Sequence, residues 1–319
     1  MVGTLGAMEF RHVGRSGLVV SAVGLGTNNL GMRLDDEQSR EVVHAALDQE
    51  ITLFDTSDSY GASEQRLGAL LEGSRDDVVI ATKFGSDVRR RGLDNGEDWG
   101  ARGARRYVKR AVEASLQRLR TDRIDLYQLH FPDPHTPIEE TLSALDDLVH
   151  EGKVRYIGCS NFTGWQVAHA EWTARSRGFE HFVSAQNEYS LLERSVERDL
   201  VPALEEYAMG LLPYFPLASG LLTGKYRRGQ EPPAGSRLAG RPEALDDAAF
   251  DVVEALEKYA DQRGISLLDV AIGGLASQPT VCSVIAGATT RAQVEANVAA
   301  GAWVPSADDL DELDRLTRG

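Results

Sequence analysis

The chain has 319 residues, of which 42% are hydrophobic and 26% charged, as expected for a globular protein with room for a large core. Its 49 acidic and 34 basic residues give a net charge of −15, which argues against nucleic-acid binding or attachment to an anionic membrane. Any anionic ligand must therefore meet a local basic pocket.

The first residues, MVGTLGAMEFRHVG, lack the features of a secretory signal, and no apolar run elsewhere is long enough to span a bilayer. We therefore expect a cytoplasmic protein. Residues 1–7 are predicted to be an N-terminal extension, followed by a single domain over residues 8–319. Cys159 and Cys282 belong to no CxxC pair, so neither a disulfide framework nor a structural zinc site is predicted.

A β-hairpin is predicted around residues 14–17, and strand-like runs then alternate with amphipathic segments. This alternation is typical of parallel strands joined by crossover helices, and eight such units in a chain of this length indicate a closed barrel. The eight runs centre on Val23, Phe54, Ile80, Leu126, Ile157, Val183, Leu212 and Val284.

The segments between the strands carry the periodicity of helices. Residues 105–120 place Val108, Val112 and Leu116 on one face, and residues 138–153 show a similar pattern. Two extra helices, over residues 246–262 and 267–277, are predicted between the seventh and eighth strands.

Three segments show no regular pattern: residues 85–103, residues 227–242 and the tail after Gly301. The first two follow strand ends, so we expect them to cover the mouth of the barrel as lids. The alternative is a pair of surface loops without specific contacts. Trp99 favours the lid, because an isolated tryptophan in a polar loop otherwise has nothing to cover it.

Several familiar motifs are incomplete. GLGTNN has two of the three glycines of a dinucleotide fingerprint, GLLTGKY is one residue short of a phosphate loop, and GCSNF lacks the last glycine of a nucleophile elbow. The histidines show no metal-ligand spacing, so no metal is predicted.

Four polar residues end a strand-like run or follow one directly: Asp55, Tyr60, Lys83 and His130. In a barrel the ends of the parallel strands meet at one mouth, so these side chains are predicted to form one site. The Lys83 ammonium would lower the pKa of Tyr60 from its ordinary value of about 10, and Asp55 would pair with that ammonium. His130 would orient a carbonyl oxygen beside the tyrosine hydroxyl.

Each of the four also has a purely structural interpretation: a core ion pair, a packed aromatic ring and a capped strand end. Together they favour a function, because buried charges are rare where stability is the only demand. The set contains no electron source, so it predicts a redox cofactor that brings a hydride.

The motifs FDTSDSYG, ATKF, LYQLH, GKVRYIGCSNF and SGLLTGKY resemble those of the aldo-keto reductases, and the resemblance covers about residues 10–300. It implies a (β/α)8 TIM barrel that reversibly reduces aldehydes and ketones with NADPH, with NADH as the second candidate. It further implies Tyr60 as general acid, Lys83 and Asp55 as the pair that sets its pKa, and His130 as the residue that orients the substrate.

The resemblance also implies a cofactor site. Three polar strand-end residues would hold the nicotinamide carboxamide, an aromatic residue would stack on its ring, and Arg291 would contact a 2′-phosphate. The matching positions are Gly26, Thr27, Ser160, Asn161, Gln186, Tyr214, Leu217, Ser219, Gly220, Lys225, Arg237, Thr290, Arg291, Gln293 and Asn297.

The chain departs from the family's pattern at some positions. Ala286 and Ala296 stand where proline and glutamate are frequent, and Phe215 replaces a common serine. The two alanines predict a weaker or rearranged grip on the adenosine end of the cofactor.

The substrate pocket is expected to include Asn28, Asp58, Trp99 and Phe131. The acidic Asp58 would favour neutral or hydroxylated carbonyl compounds over carboxylated ones. The resemblance leaves open a second function, that of a nicotinamide-sensing regulatory subunit like the channel β-subunits, which share this fold. An aldolase-type barrel with Lys83 as a Schiff-base lysine explains none of the cofactor matches.

Overall fold

A computed structural model of the chain describes residues 8–86, 100–239 and 247–318. Residues 1–7, predicted to be an extension, and Trp99 lie outside the described residues. The strands are β1 (Phe10–His12), β2 (Val19–Ser21), β3 (Val23–Gly26), β4 (Leu53–Asp55), β5 (Val79–Phe84), β6 (Ile124–Leu129), β7 (Val154–Ser160), β8 (Phe182–Gln186), β9 (Gly210–Leu211) and β10 (Val284–Gly287).

Helices follow most of the strands. They are α1 (Asn28–Met32), α2 (Asp36–Asp48), α3 (Ser63–Leu70), α4 (Arg105–Leu119), α5 (Ile138–His150), α6 (Gly164–Arg177), α7 (Leu200–Tyr207), α8 (Asp247–Arg263), α9 (Leu267–Ala276), α10 (Arg291–Gly301) and α11 (Ala307–Thr317). The predicted helices at residues 105–120 and 138–153 correspond to α4 and α5.

Strands β3 to β10 form one parallel sheet in the order β10-β3-β4-β5-β6-β7-β8-β9. Its two edges meet, because the Cys282 amide donates to the Leu211 carbonyl at 3.0 Å and the Ile285 amide donates to the Pro213 carbonyl at 3.0 Å. The sheet is therefore closed, and the predicted (β/α)8 barrel is confirmed.

The hairpin β1–β2 pairs in antiparallel fashion and closes the end of the barrel at which the strands begin. Val13 and Val20 are buried and pack in one cluster with Leu53, Leu126 and Leu212 of the barrel interior. The tight approach needs Gly14, whose φ of +55° would strain other residues and whose Cβ would lie 2.7 Å from the Ala208 carbonyl oxygen. The opposite end of the barrel is left for ligands.

The two extra helices predicted before the last strand are present as α8 and α9. They build a second apolar cluster, which includes Phe250, Leu256 and Val270 and also takes in Leu222 and Tyr226 from the long segment after β9. This cluster supports one wall of the barrel mouth.

The expected irregular tail after Gly301 is wrong, because the structure has α11 there. Ser306 caps this helix and shares reciprocal hydrogen bonds with Asp309, whose carboxylate also accepts from Tyr259 and Arg263 of α8. Leu310, Leu313 and Leu316 recur at helical spacing, so the sequence did carry a signal for this helix, and Leu313 is its buried residue.

Candidate active site

A cavity of about 840 Å³ lies at the end of the barrel where the parallel strands finish. Asp55, Tyr60 and His130 line it, and Lys83 lies directly behind Asp55. The predicted positions that also line the cavity are Gly26, Thr27, Asn28, Phe131, Ser160, Asn161, Gln186, Tyr214, Leu217, Ser219, Gly220, Lys225, Arg237, Gln293 and Asn297.

Lys83 and Asp55 form a buried ion pair, with the two residues 1% and 3% exposed. Lys83 Nζ donates to both carboxylate oxygens of Asp55 at 2.8 Å and to the Thr56 carbonyl at 3.0 Å. Burial by itself would lower the pKa of Lys83, but the charge of Asp55 and the contact with Tyr60 outweigh it and raise that pKa. The ammonium therefore stays charged directly behind the cavity wall.

Tyr60 lies on the turn between β4 and α3, and its hydroxyl oxygen is 3.5 Å from Lys83 Nζ. The ammonium also lies 5.0 Å from the centroid of the phenol ring. A positive charge beside a phenol stabilises the phenolate relative to the phenol. The pair is therefore suited to releasing a proton into the cavity.

His130 follows β6 and faces Tyr60 edge to face, with ring centroids 5.9 Å apart. Its Nδ1 is 3.1 Å from Ser57 Oγ, and its backbone amide donates to the Phe84 carbonyl at 2.8 Å. Phe131 stacks on the other side of the imidazole at 4.8 Å. These contacts fix the plane of the ring at the cavity wall.

A row of amide and hydroxyl groups runs along the neighbouring strand ends. Ser160 Oγ donates to the Gln186 carbonyl, and Gln186 Nε2 donates to Asp55 Oδ1, both at 2.8 Å. Asn161 adopts a left-handed φ of +61°, and its Oδ1 accepts from the Tyr214 hydroxyl at 2.8 Å. The row thus connects the ion pair to the aromatic wall of the cavity.

The segment after β9 holds several residues in the left-handed region: Phe215, Ala218, Ser219 and Gly220, with φ of 53°, 45°, 58° and 97°. Such backbone strain is characteristic of ligand-binding loops. A Cβ at Gly220 would lie 2.6 Å from Lys225 Nζ, so this glycine lets the lysine approach the loop.

Cations gather at the same rim of the cavity. Lys225 and Arg237 line it, the latter 4.6 Å from the Phe215 ring centroid, and Arg33 Nη2 donates to the Gly235 carbonyl at 2.7 Å. In a chain of net charge −15, these groups form the local basic pocket that an anionic ligand needs. Arg33 was missed in the sequence, because α1 before it is too short to show a periodic pattern.

Helix α10 closes the far end of the cavity. Thr290 caps the helix by accepting from the Gln293 amide at 3.3 Å, while Gln293 and the buried Asn297 line the cavity. Arg291 Nη1 donates to Asp48 Oδ2 at 2.8 Å. Thr290 and Arg291 adjoin the cavity but are not among the described residues that line it.

Asp58 does not join the cavity formed by the described residues. Its Oδ2 is shielded from solvent, and its charged neighbours are Glu64 and Arg118 of the surrounding helices. Of the residues expected to form the substrate pocket, Asn28 and Phe131 line the cavity. The Asp58 carboxylate does not face the cavity formed by the described residues, so it cannot select among substrates there by direct contact.

Two other kinds of site are not found in the described parts of the chain. There, no group of three or more His, Cys, Asp or Glu side chains could hold a metal ion. None of the described helices is both long and apolar enough to cross a membrane.

Comparison with known proteins extends these observations. A model described as "Aldo/keto reductase family" matches residues 22–318. The chain is 36% identical to an uncharacterized oxidoreductase of Bacillus subtilis, YrpG, with 92% of the chain and 91% of that protein covered. It is 32% identical to a probable voltage-gated potassium channel subunit beta of Arabidopsis thaliana (97% and 96% covered) and to an L-glyceraldehyde 3-phosphate reductase of Escherichia coli (97% and 92% covered).

Proposed function

Since the chain belongs to the aldo/keto reductase family, we propose that it reduces an aldehyde or ketone reversibly to an alcohol, with a nicotinamide cofactor and with Tyr60 as proton donor. The observation that carries this proposal is the Tyr60 hydroxyl 3.5 Å from the buried Lys83 ammonium, at the wall of a cavity large enough for a small molecule.

The roles follow from the chemistry of the side chains. Tyr60 gives its proton to the carbonyl oxygen, and Lys83 stabilises the phenolate that remains. Asp55 keeps the lysine charged in a site where an unpaired ammonium would be costly. His130 directs a ring N–H at the same oxygen and so orients the carbonyl beside Tyr60.

The residues around the cavity fit a nicotinamide dinucleotide. Ser160, Asn161 and Gln186 offer the mixture of donors and acceptors that a carboxamide requires, and Tyr214 offers an aromatic face. The strained loop with Lys225 suits a diphosphate, whose charge backbone amides and one cation can offset. When bound, a reduced nicotinamide supplies the hydride that the side chains lack.

Arg291 supports a preference for NADPH over NADH. Its ion pair with Asp48 is exposed on both sides, and exposed pairs contribute little stability, so the guanidinium can exchange Asp48 for a phosphate at small cost. Replacing Arg291 with Ala is expected to raise the KM for NADPH by tenfold or more and to leave the KM for NADH nearly unchanged. Arg40→Ala, on the exposed surface of α2, is the control. An equal loss for both cofactors would contradict the phosphate assignment.

The similarity to a protein named as a channel subunit favours one alternative, a regulatory subunit that binds the cofactor as a signal. In that function the protein would bind the cofactor without oxidising it in response to a carbonyl compound. A turnover assay therefore distinguishes the two functions, whereas a cofactor-binding assay does not.

The experiment is a spectrophotometric screen of NADPH and NADH oxidation against a broad panel of aldehydes, ketones and sugars. Tyr60→Phe should lower kcat by roughly 10²- to 10⁴-fold, because it removes the general acid. Cofactor affinity, followed by fluorescence, should stay unchanged. Wild-type turnover in Tyr60→Phe would show that another group donates the proton, and cofactor binding without turnover on the whole panel would favour the regulatory subunit.

A further inference from the structure

A chain of hydrogen-bonding groups leads from the cavity wall to a carboxyl group behind it. Ser57 Oγ is 3.1 Å from His130 Nδ1 and 3.3 Å from Asp58 Oδ1. The Asp58 amide donates to the Lys83 carbonyl at 3.1 Å, which fixes the backbone at this point. Ser57 is fully buried, so its hydroxyl is held between the imidazole and the carboxyl group without competition from bulk solvent.

The Asp58 carboxyl lies in an unusual environment. Its Oδ2 is shielded from solvent and has no hydrogen-bond partner among the described residues. Burial, and then the charge of Glu64, raise the pKa of Asp58 to about 7, although Arg118, Ser57 and Arg102 act in the opposite direction. The titratable and charged groups facing it are Glu64 on α3, Tyr107 and Arg118 on α4, Arg102 before α4 and Tyr127 on β6.

The Ser57 hydroxyl has one proton to donate and two lone pairs. One lone pair accepts from the Ser59 amide at 3.2 Å, and the Ser59 hydroxyl lies 3.0 Å away. If Asp58 is protonated, its O–H donates to Ser57, and Ser57 donates to His130 Nδ1. If Asp58 is ionised, Ser57 donates to the carboxylate and accepts from an N–H on Nδ1 of His130. Each arrangement uses the one donor and both acceptor positions of Ser57 and leaves out the Ser59 hydroxyl, which lies 3.0 Å from Ser57 Oγ, so this row of hydrogen bonds can run in either direction.

The direction decides where the neutral imidazole carries its proton. A ring that accepts at Nδ1 carries the proton on Nε2, and a ring that donates from Nδ1 has a lone pair on Nε2. With Nδ1 against Ser57, Nε2 is the nitrogen through which the ring acts on the cavity, beside Tyr60. The N–H on Nε2 that a carbonyl oxygen needs is therefore present when Ser57 donates to His130 and absent when Ser57 donates to Asp58.

We propose that Asp58 is a positioning residue which, through the Ser57 hydroxyl, sets the nitrogen of His130 that carries the proton. The inference rests on the proposed function, in which His130 donates to a carbonyl oxygen. Protonated Asp58 holds the form with N–H on Nε2. Loss of the Asp58 proton to solvent reverses both hydrogen bonds and moves the imidazole proton to Nδ1.

The test is a pH titration of the His130 side chain by ¹⁵N NMR in the full chain without ligand, with the signal assigned by His130→Gln. The neutral wild-type ring should shift from the Nε2–H to the Nδ1–H tautomer as the pH rises through about 7, and the imidazolium, with N–H on both nitrogens, is distinguished by its own ¹⁵N shifts. In Asp58→Asn the amide N–H donates to Ser57 at every pH, so the Nε2–H form should persist. The control Asp77→Asn, an exposed carboxylate, should behave as wild type.

Ser57→Ala provides a second test if Asp58→Asn folds poorly. It removes the hydroxyl that connects Asp58 to His130 and should therefore abolish the tautomer shift near pH 7. A wild-type ring that keeps one tautomer across the titration, or a shift that survives in either variant, would overturn the proposal. In the same proteins, kcat/KM for carbonyl reduction should fall above about pH 7 in wild type and not in Asp58→Asn. The NMR readout needs no turnover, so a failure of the proposed function and a failure of the Asp58 role give different results.

Discussion

The buried ion pair of Lys83 and Asp55 is better explained by a functional role than by a contribution to stability. A buried ion pair rarely adds net stability, since desolvation of two charges offsets most of their attraction. Here the pair is accompanied by the Gln186 amide and the Thr56 carbonyl, which satisfy the remaining positions. The arrangement holds a charged ammonium 3.5 Å from the Tyr60 hydroxyl, and that proximity is what a packed apolar pair could not provide.

Asp58 allows a stability prediction at the same scale. Its pKa is raised from 3.8 to about 7 in the folded protein, so the folded state binds this proton more tightly than the unfolded state does. The favourable contribution is present below about pH 4 and is lost as the pH rises through 7. Asp58→Asn removes this dependence and should raise the free energy of unfolding at pH 8 by on the order of 2 kcal/mol.

The measurement is urea denaturation of both proteins at several pH values between about 5 and 8. The advantage of Asp58→Asn should shrink as the pH falls, because the wild-type carboxyl then becomes neutral as well. A constant difference between the two proteins across this range would mean that Asp58 titrates at an ordinary pKa.

Single residues were predicted from the sequence with uneven success. Asp55, Lys83 and His130 end or directly follow strands, and a strand end in a barrel has a known direction, so their convergence could be predicted. Asp58 lies farther along the turn after β4, and its direction is set by packing against α3 and α4. That packing joins residues distant in sequence, so the pattern around Asp58 could not reveal it.

At the scale of elements, the short helix α1 and the turn that carries Tyr60 are fitted closely together. A Cβ at Gly31 in α1 would lie 1.7 Å from the Tyr60 carbonyl oxygen and 2.6 Å from the Ser63 amide nitrogen. A helix of this length has little stability of its own. Its position therefore depends on this contact, and the position of Tyr60 depends on it too.

Gly31→Ala should displace the turn that holds Tyr60. We expect a loss of at least tenfold in kcat, because small displacements of reacting groups are costly, and a loss of about 1–3 kcal/mol in the free energy of unfolding. Gly274→Ala in α9 is the matched control, because its Cβ would meet only Leu313 Cδ1, at 3.5 Å. This second change should stabilise the protein by about 0.5–1 kcal/mol.

Steady-state kinetics and urea denaturation of both variants give the comparison. If Gly31→Ala kept wild-type kcat, the turn would be positioned by other contacts. The sequence could predict the long amphipathic helices, such as α4, and the strand-like run at Leu212 that contains β9, but not α1, because α1 is too short to show a period.

At the scale of the whole molecule, the barrel is closed at one end by the β1–β2 hairpin and filled by apolar side chains below the site. Leu126 is fully buried in this interior with Leu53, Ala81 and Leu212. The hairpin was predicted from its turn residues and the barrel from its eight units. The packing of the hairpin on the barrel interior could not be predicted from the sequence, because the side chains of the hairpin and of β6 are far apart along the chain.

Leu126→Ala should leave a void in this interior and lower the free energy of unfolding by about 2–5 kcal/mol, as measured by urea denaturation. Val304→Ala, at a position 78% exposed, should change it by less than about 0.5 kcal/mol. A loss below about 1 kcal/mol for Leu126→Ala would show that the barrel interior collapses around the smaller side chain.

The burial of Lys83 has a consequence for chemical probes. An ammonium that is 1% exposed and engaged by a carboxylate and a carbonyl offers no free amine to an acylating or aldehyde reagent, whereas Lys225 lines the cavity. A covalent inhibitor of this protein should therefore carry its electrophile toward the rim at Lys225, even though the lysine essential to the proposed chemistry lies deeper.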